Sequence, residues 1–131
     1  MRVLVTGHKG YIGTTLVPLL QSEGFDVTGL DSDLFRECTF DKGMVNIPEV
    51  IKDVRDVTAR DVEGHDAIIH LAGLSNDPLG DYDPTLTDDI NCQGSIKLAR
   101  IAKQVGGHHA LADGDQVDDE EILELVEMEI R

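Results

Sequence analysis

Gly7, Gly10 and Gly13 recur at every third position between an apolar run, Val3-Leu4-Val5, and the start of a helical pattern. That spacing builds a cradle for phosphate. Gly7 can take the positive φ of a tight turn, Gly10 lets a pyrophosphate reach bare backbone, and Gly13 lets the helix pack closely on the strand. The helix that follows aims its first free N–H groups at the phosphates, so no basic side chain is required to hold them. Asp31 ends the next apolar run, Val27-Thr-Gly-Leu-Asp31. A carboxylate there accepts a hydrogen bond from a ribose 2′-hydroxyl and repels a 2′-phosphate. A glycine-rich turn kept only for helix packing explains Gly13 and leaves Gly7, Gly10 and Asp31 together without a reason. Strand before, helix after and acid at the next strand's end form the context of a dinucleotide site.

Such a site needs a scaffold, and 131 residues suffice for one domain with a single core. Aromatics make up 4% of the chain and Trp is absent, so the core must be Val, Ile, Leu and Ala. The formal charge of −15 argues against nucleic acid and anionic lipid as partners, since both require Lys and Arg to neutralise phosphate. It also opposes an anionic cofactor, so binding must come from the local helix terminus and improve with salt screening. Cys38 and Cys92 fit neither a disulfide framework nor a metal knuckle, which favours reduced thiols in a cytoplasmic protein. No basic-apolar leader opens the chain, and its apolar runs are too short to cross a bilayer.

Strand-like and helical stretches alternate, the pattern of a parallel sheet covered on both faces. The expected strands are Val3–Val5, Val27–Asp31, Glu49–Lys52, a fourth that with its exit covers Asp66–Gly73, and a short fifth at His108–Ala112. The first helix carries Ile12, Leu16, Leu19 and Leu20 at the spacing of one buried face, with Pro18 expected to kink it and Gly24 to end it. Ser32–Lys42 reads as a short helical turn and loop. A brief turn of helix is expected at Ala59–Val62, a polar loop at Leu74–Pro84, and one long helix from about Thr85 to Val105, stopped by Gly106-Gly107. Asp118–Arg131 reads as a final helix, capped by Asp118 and Glu121, with Ile122, Leu123, Leu125, Val126 and Ile130 as its apolar stripe. The expected architecture is α/β: a three-layer, doubly wound parallel sheet of five strands in the order 3-2-1-4-5, with a crevice between strands one and four.

With these motifs in view, residues 1–107 resemble the amino-terminal, Rossmann-like half of the NAD-dependent epimerase/dehydratase family, the extended short-chain dehydrogenases acting on nucleotide sugars. The residues that carry the likeness are Thr6-Gly7-His-Lys-Gly10-Tyr-Ile-Gly13, Asp31, Asp53-Val54-Arg-Asp, His70-Leu-Ala-Gly73 and Asn91-Cys-Gln-Gly94. The resemblance implies NAD as cofactor. It implies that Tyr11 and Ile12 supply backbone at the pyrophosphate and that Asp31 holds the adenosine ribose. Asp53 and the Val54 backbone would then meet the adenine, Leu71, Ala72 and Gly73 would pass beneath the cofactor's centre, and Asn91 would steady the nearby loops. The family's catalytic Tyr-x-x-x-Lys pair has no counterpart, because Thr15 and Leu86 stand four residues beyond Tyr11 and Tyr82. The resemblance therefore implies a domain that binds NAD without catalysis, truncated relative to the enzymes and lacking their substrate domain; self-association through the surface left behind is a further expectation.

Residues 115–131 are similar to a helix of the elongation factor Tu GTP-binding domain. Where that family has Asn-Lys-x-Asp for guanine, this chain has Ala112-Asp-Gly-Asp115. Residues 108–131 are thus expected to be a completing strand and helix of different origin within one domain, 1–131. The alternative is a recombined or engineered chimera that keeps the fold and binds nothing. No metal site is expected: His108 and His109 are adjacent and on a strand point to opposite faces, and the acidic runs lack the glycine and terminal Glu of a calcium loop. His70, at the end of a buried strand, reads as a hydrogen-bonded core histidine.

Overall fold

The computed structural model describes residues 1–34, 46–74, 83–106 and 108–110, the last three by their backbone. The sheet is parallel, with strand order β3-β2-β1-β4-β5. Its members are β1 (Arg2–Thr6), β2 (Asp26–Asp31), β3 (Glu49–Ile51), β4 (Ala67–His70) and β5 (His108–Ala110). Val3 pairs with Val27 on one side and Ala67 on the other, so the central strand is flanked by both neighbours along its length. Val3, Leu4 and Val5 are buried, as the near-continuous apolar sequence of a strand covered on both faces requires. One face packs Val3, Val5, Val17 and Val27. The other packs Leu4, Leu30, Ile68, Ile90, Leu98 and Ala102 with Val54, Val57 and Val62.

Helix α1 (Tyr11–Ser22) buries Gly13 and Val17, with Leu20 packed partly beside them. The expected inner face is thereby corrected: Ile12 is 57% and Leu19 56% exposed. Gly13 sets the phase, because it must face the turn, and residues four and seven positions on then face inward. The helix continues through Pro18. The short helix α2 (Ala59–Val62) is capped at its start by a Thr58–Asp61 capping box.

The long helix expected after residue 85 is instead divided. Helix α3 (Pro84–Asp88), capped by the Asp83 side chain, leads into a π-helical turn at Asp89–Gln93 and then α4 (Gly94–Val105), ended by Gly106 at φ +78°. The interruption falls where Gly94 lies against Val54 and where Ser95 bonds back to Asn91. Such turns re-aim side chains in the middle of a helix. The readings of Ser32–Lys42 beyond residue 34 and of Leu74–Pro84 between 75 and 82 lie outside the described residues. So do those of Cys38, Tyr82 and the helix Asp118–Arg131.

Candidate functional site

A cleft of about 330 Å³ opens at the carboxyl ends of β1, β2 and β4, lined among others by Gly7, Gly10, Asp31, Asp53, Ala72 and Gly73. This is where ligands settle in an open parallel sheet, beside the strand at which the order reverses. Gly7 has φ +70°, and a Cβ on it would stand 2.7 Å from the Ala72 nitrogen and 2.8 Å from the Leu71 carbonyl carbon. The turn therefore presses against the exit of β4, and only glycine permits both the conformation and the approach. Gly13 is needed for a different contact from the one expected. Its Cβ would meet the Gly7 oxygen at 2.6 Å and the His8 oxygen at 2.5 Å, so it seats the helix on its own turn.

Gly10, at φ −74° and ψ 174°, is the residue before α1, and no side chain caps that helix. The opening N–H groups, those of Tyr11, Ile12 and Gly13, have no carbonyl a turn earlier to bond. With the helix dipole they form a site for an anion. Tyr11 is 95% exposed, so any contribution from it is by backbone.

Asp31 is fixed by two backbone donors: the Lys9 N–H reaches Oδ2 at 3.0 Å and the Asp33 N–H reaches Oδ1 at 2.9 Å. Each oxygen keeps a second lone pair for a hydroxyl. Asp53 lines the cleft, but its carboxylate is engaged by Arg55, through Nε at 3.0 Å, Nη2 at 2.8 Å and the backbone N–H at 2.8 Å. The Arg55 side-chain bonds, ahead of a smaller opposing effect of burial, hold this carboxyl below the usual range. Val54 is buried in the core and also lines the cleft.

The floor is residues 71–74, held from two sides. Asn91 accepts from the Leu74 N–H at 2.7 Å and donates to its carbonyl at 2.9 Å. Gly73 makes room for this clasp, since a Cβ there would stand 3.1 Å from Asn91 Oδ1. On the other side the Ala72 N–H donates to Thr6 Oγ1 at 3.3 Å. His70 joins the two. Ser95 donates its hydroxyl proton to the Asn91 carbonyl at 2.6 Å, so it accepts from His70 Nε2 at 2.8 Å. Nδ1 is then left to accept from the Thr6 hydroxyl at 2.6 Å. That is a neutral imidazole with both nitrogens satisfied, and burial lowers its pKa to about 4.

Of the residues singled out in the sequence, Gly7, Gly10, Asp31, Asp53, Val54, Leu71, Ala72 and Gly73 line the cleft. Gly13 and Asn91 shape it from behind, and Tyr11 and Ile12 offer only the helix terminus. Lys9, Ser32, Asp33, Lys52 and Ile90 also line it, and the sequence assigns none of them a role. The same holds for His8, which is buried with Nε2 3.1 Å from Glu49 Oε2. Gly29, inside a strand, carries the signal for it: a Cβ there would stand 2.6 Å from the His8 ring. A glycine in a strand interior marks such a close approach.

Glycine turn, uncapped helix terminus and acid-tipped second strand on a parallel sheet define a Rossmann-like nucleotide-binding fold. Residues 3–112 match the model of the NAD dependent epimerase/dehydratase family, and the chain belongs to that family. It is 30% identical over 119 residues to UDP-glucuronic acid decarboxylase 1 of Danio rerio, covering 88% of this chain and 28% of the relative. It is 32% identical over 113 residues to UDP-glucose 4-epimerase of Mycolicibacterium smegmatis, covering 81% and 36%. Among solved structures, UDP-glucose 4-epimerase of Thermus thermophilus in complex with NAD superimposes with a TM-score of 0.68 at 30% identity, over 81% of this chain and 35% of that one. An NAD-dependent NDP-hexosamine 5,6-dehydratase gives 0.74 at 26% identity, over 85% and 36%. The chain thus spans about a third of the length of these relatives. No helix among the described residues is long and apolar enough to cross a membrane.

Proposed function

We propose that this chain binds NAD in the cleft above β1, β2 and β4, and that the 131-residue polypeptide alone turns no substrate over. The observation that carries the reading is the uncapped start of α1 beside a turn that tolerates no Cβ at Gly7 or Gly13. The pyrophosphate would take the N–H groups of Tyr11, Ile12 and Gly13, and the adenosine ribose the remaining lone pairs of Asp31. The adenine would lie by Asp53 and the Val54 backbone, and the nicotinamide half over Leu71–Gly73. The NAD-bound epimerase among the structural relatives supports the same choice of cofactor. Bound NAD supplies a hydride acceptor. This chain's residues orient it, and Asn91 and His70 keep the floor beneath it in place.

The absence of turnover rests on the sequence, in which neither tyrosine is followed by lysine four residues on. A general base needs a positioned group of tuned pKa. The tail, with its likeness to an elongation factor Tu helix, belongs in this reading to the scaffold of a chimeric chain, and the two cysteines to a cytoplasmic one. The competing reading is a chimera that binds nothing. Calorimetric titration with NAD, NADP and GTP separates the two. Heat with NAD and none with GTP is expected; no heat with any of them overturns the proposal, and cofactor reduction with a nucleotide sugar overturns its non-catalytic half.

A further inference from the structure

The cation of the glycine turn is already taken. Lys9 Nζ lies 3.0 Å from Asp33 Oδ2 and 3.1 Å from Glu49 Oε2, and the lysine side chain is only 14% exposed. Glu49 is held in turn by the buried His8 ring, for which β2 leaves space at Gly29. The assembly thus joins the turn to the loop after β2 and to the first residue of β3. Burial pulls the ammonium pKa down, but the bonds to Asp33 and Glu49 outweigh it and the net direction is up. The Lys9 bonds, chiefly, lower the Glu49 carboxyl.

Lys9 also stands one hydrogen bond from Asp31, through its own N–H, and Lys9, Asp31, Ser32 and Asp33 line the same end of the cleft. A lysine at this place is a ready point charge for a phosphate on the ribose. Two carboxylates on that ammonium leave it little positive field to offer.

We propose that Asp33 and Glu49 are specificity-determining residues: they sequester Lys9, so that the cleft refuses a 2′-phosphorylated dinucleotide by withholding a cation as well as by presenting the Asp31 carboxylate. The inference rests on the NAD reading of the site and extends it to residues outside the glycine and Asp31 pattern. Removing Asp31 alone deletes the repulsion and supplies no attraction. Freeing Lys9 supplies it.

The experiment is titration with NAD and NADP of the parent, Asp31→Asn, the triple variant Asp31→Asn/Asp33→Asn/Glu49→Gln, and the triple variant with Lys9→Met added. Melting curves of all four check folding, and Asp33→Gly, which suits the φ of +57° there, with Glu49→Met serves as the alternative pair if the amides fail to fold. NADP affinity should rise about tenfold or more from Asp31→Asn to the triple variant, the range of one charge-assisted bond to phosphate. Lys9→Met should return that gain. A folded triple variant with no gain for NADP, or a gain that survives Lys9→Met, overturns the inference and leaves the NAD reading intact. A parent that binds neither cofactor overturns the NAD reading, and this inference with it.

Discussion

Gly10 and Gly7 belong to one turn, and substitution should separate what each does. Gly10 sits in extended backbone at φ −74°, which valine adopts freely, and its Cβ would meet only the Gly7 oxygen, at 3.2 Å. Gly10→Val should therefore cost under about 1 kcal/mol, a fall in Tm of about 4 °C or less for a chain of this length. Its branched methyls would nevertheless cover the N–H groups that open α1. Each bond from such a group to a phosphate oxygen is worth about 1.5–3 kcal/mol, so losing two should weaken NAD by roughly two decades or more. Gly7→Ala is the contrast. The left-handed conformation costs about 1–2 kcal/mol for alanine, and a Cβ 2.7 Å from the Ala72 nitrogen adds an overpacking cost of about 1–3 kcal/mol. The sum of about 2–5 kcal/mol approaches the lower end of a small domain's stability. Calorimetric titration and thermal melting of both variants read the two quantities separately. If Gly10→Val binds NAD within about threefold of the parent, or melts as early as Gly7→Ala, the phosphate cradle is misassigned.

Asp31→Ala should narrow the preference for NAD over NADP, because it removes a like charge from the 2′-phosphate and an acceptor from the 2′-hydroxyl; equal affinities in the parent would refute this. Acid should destabilise the fold before its carboxylates titrate: the folded pKa of His70 is lowered to about 4, so the unfolded chain takes the proton first. Stability is full above about pH 6.5 and falls by about 3 kcal/mol on the way to pH 4, and denaturant melts of the parent and His70→Gln across that window should converge as the pH drops. Deleting residues 118–131, expected from the sequence alone to form an amphipathic helix, should lower Tm or cause aggregation without removing a proposed ligand contact, since burial of apolar side chains such as Ile122, Leu123, Leu125, Val126 and Ile130 would contribute about 1.5–3 kcal/mol each. An unchanged Tm would refute that expectation.

The parallel sheet and the cradle are legible because their signals are local. Gly7, Gly10 and Gly13 sit within one turn, and Asp31 closes the short strand-like run Val27-Thr-Gly-Leu. The phase of α1 is misleading in the sequence because Ile12 and Leu19, both large and apolar, suggest an inward face that the stricter requirement of Gly13 denies them. The π turn leaves no pattern of its own: Asn91, Gly94 and Ser95 are ordinary helix residues until Val54 and His70 are placed beside them. The bond from His8 to Glu49 joins residues 41 apart, and that from His70 to Ser95 residues 25 apart. Neither separation has a periodicity to betray it.

These long-range polar bonds matter because the cleft has few other means of keeping its shape. Its floor, residues 71–74, follows β4 and lies beyond the ladder, so strand pairing cannot hold it past the bond from the Leu71 N–H to the Thr6 carbonyl. Thr6 on β1 and Asn91 in the π turn therefore take over, one at Ala72 and the other at Leu74. His70 links both supports, accepting from Thr6 and donating to Ser95, which bonds the Asn91 carbonyl. A leucine of similar size would fill its volume and leave the Thr6 and Ser95 hydroxyls without this partner in a dry interior, at about 1–3 kcal/mol each. The imidazole is thus retained for its two opposed nitrogens, one accepting and one donating. The same arrangement adds to the burial that disfavours a charged His70, for a proton on Nδ1 would take from the Thr6 hydroxyl the acceptor it donates to.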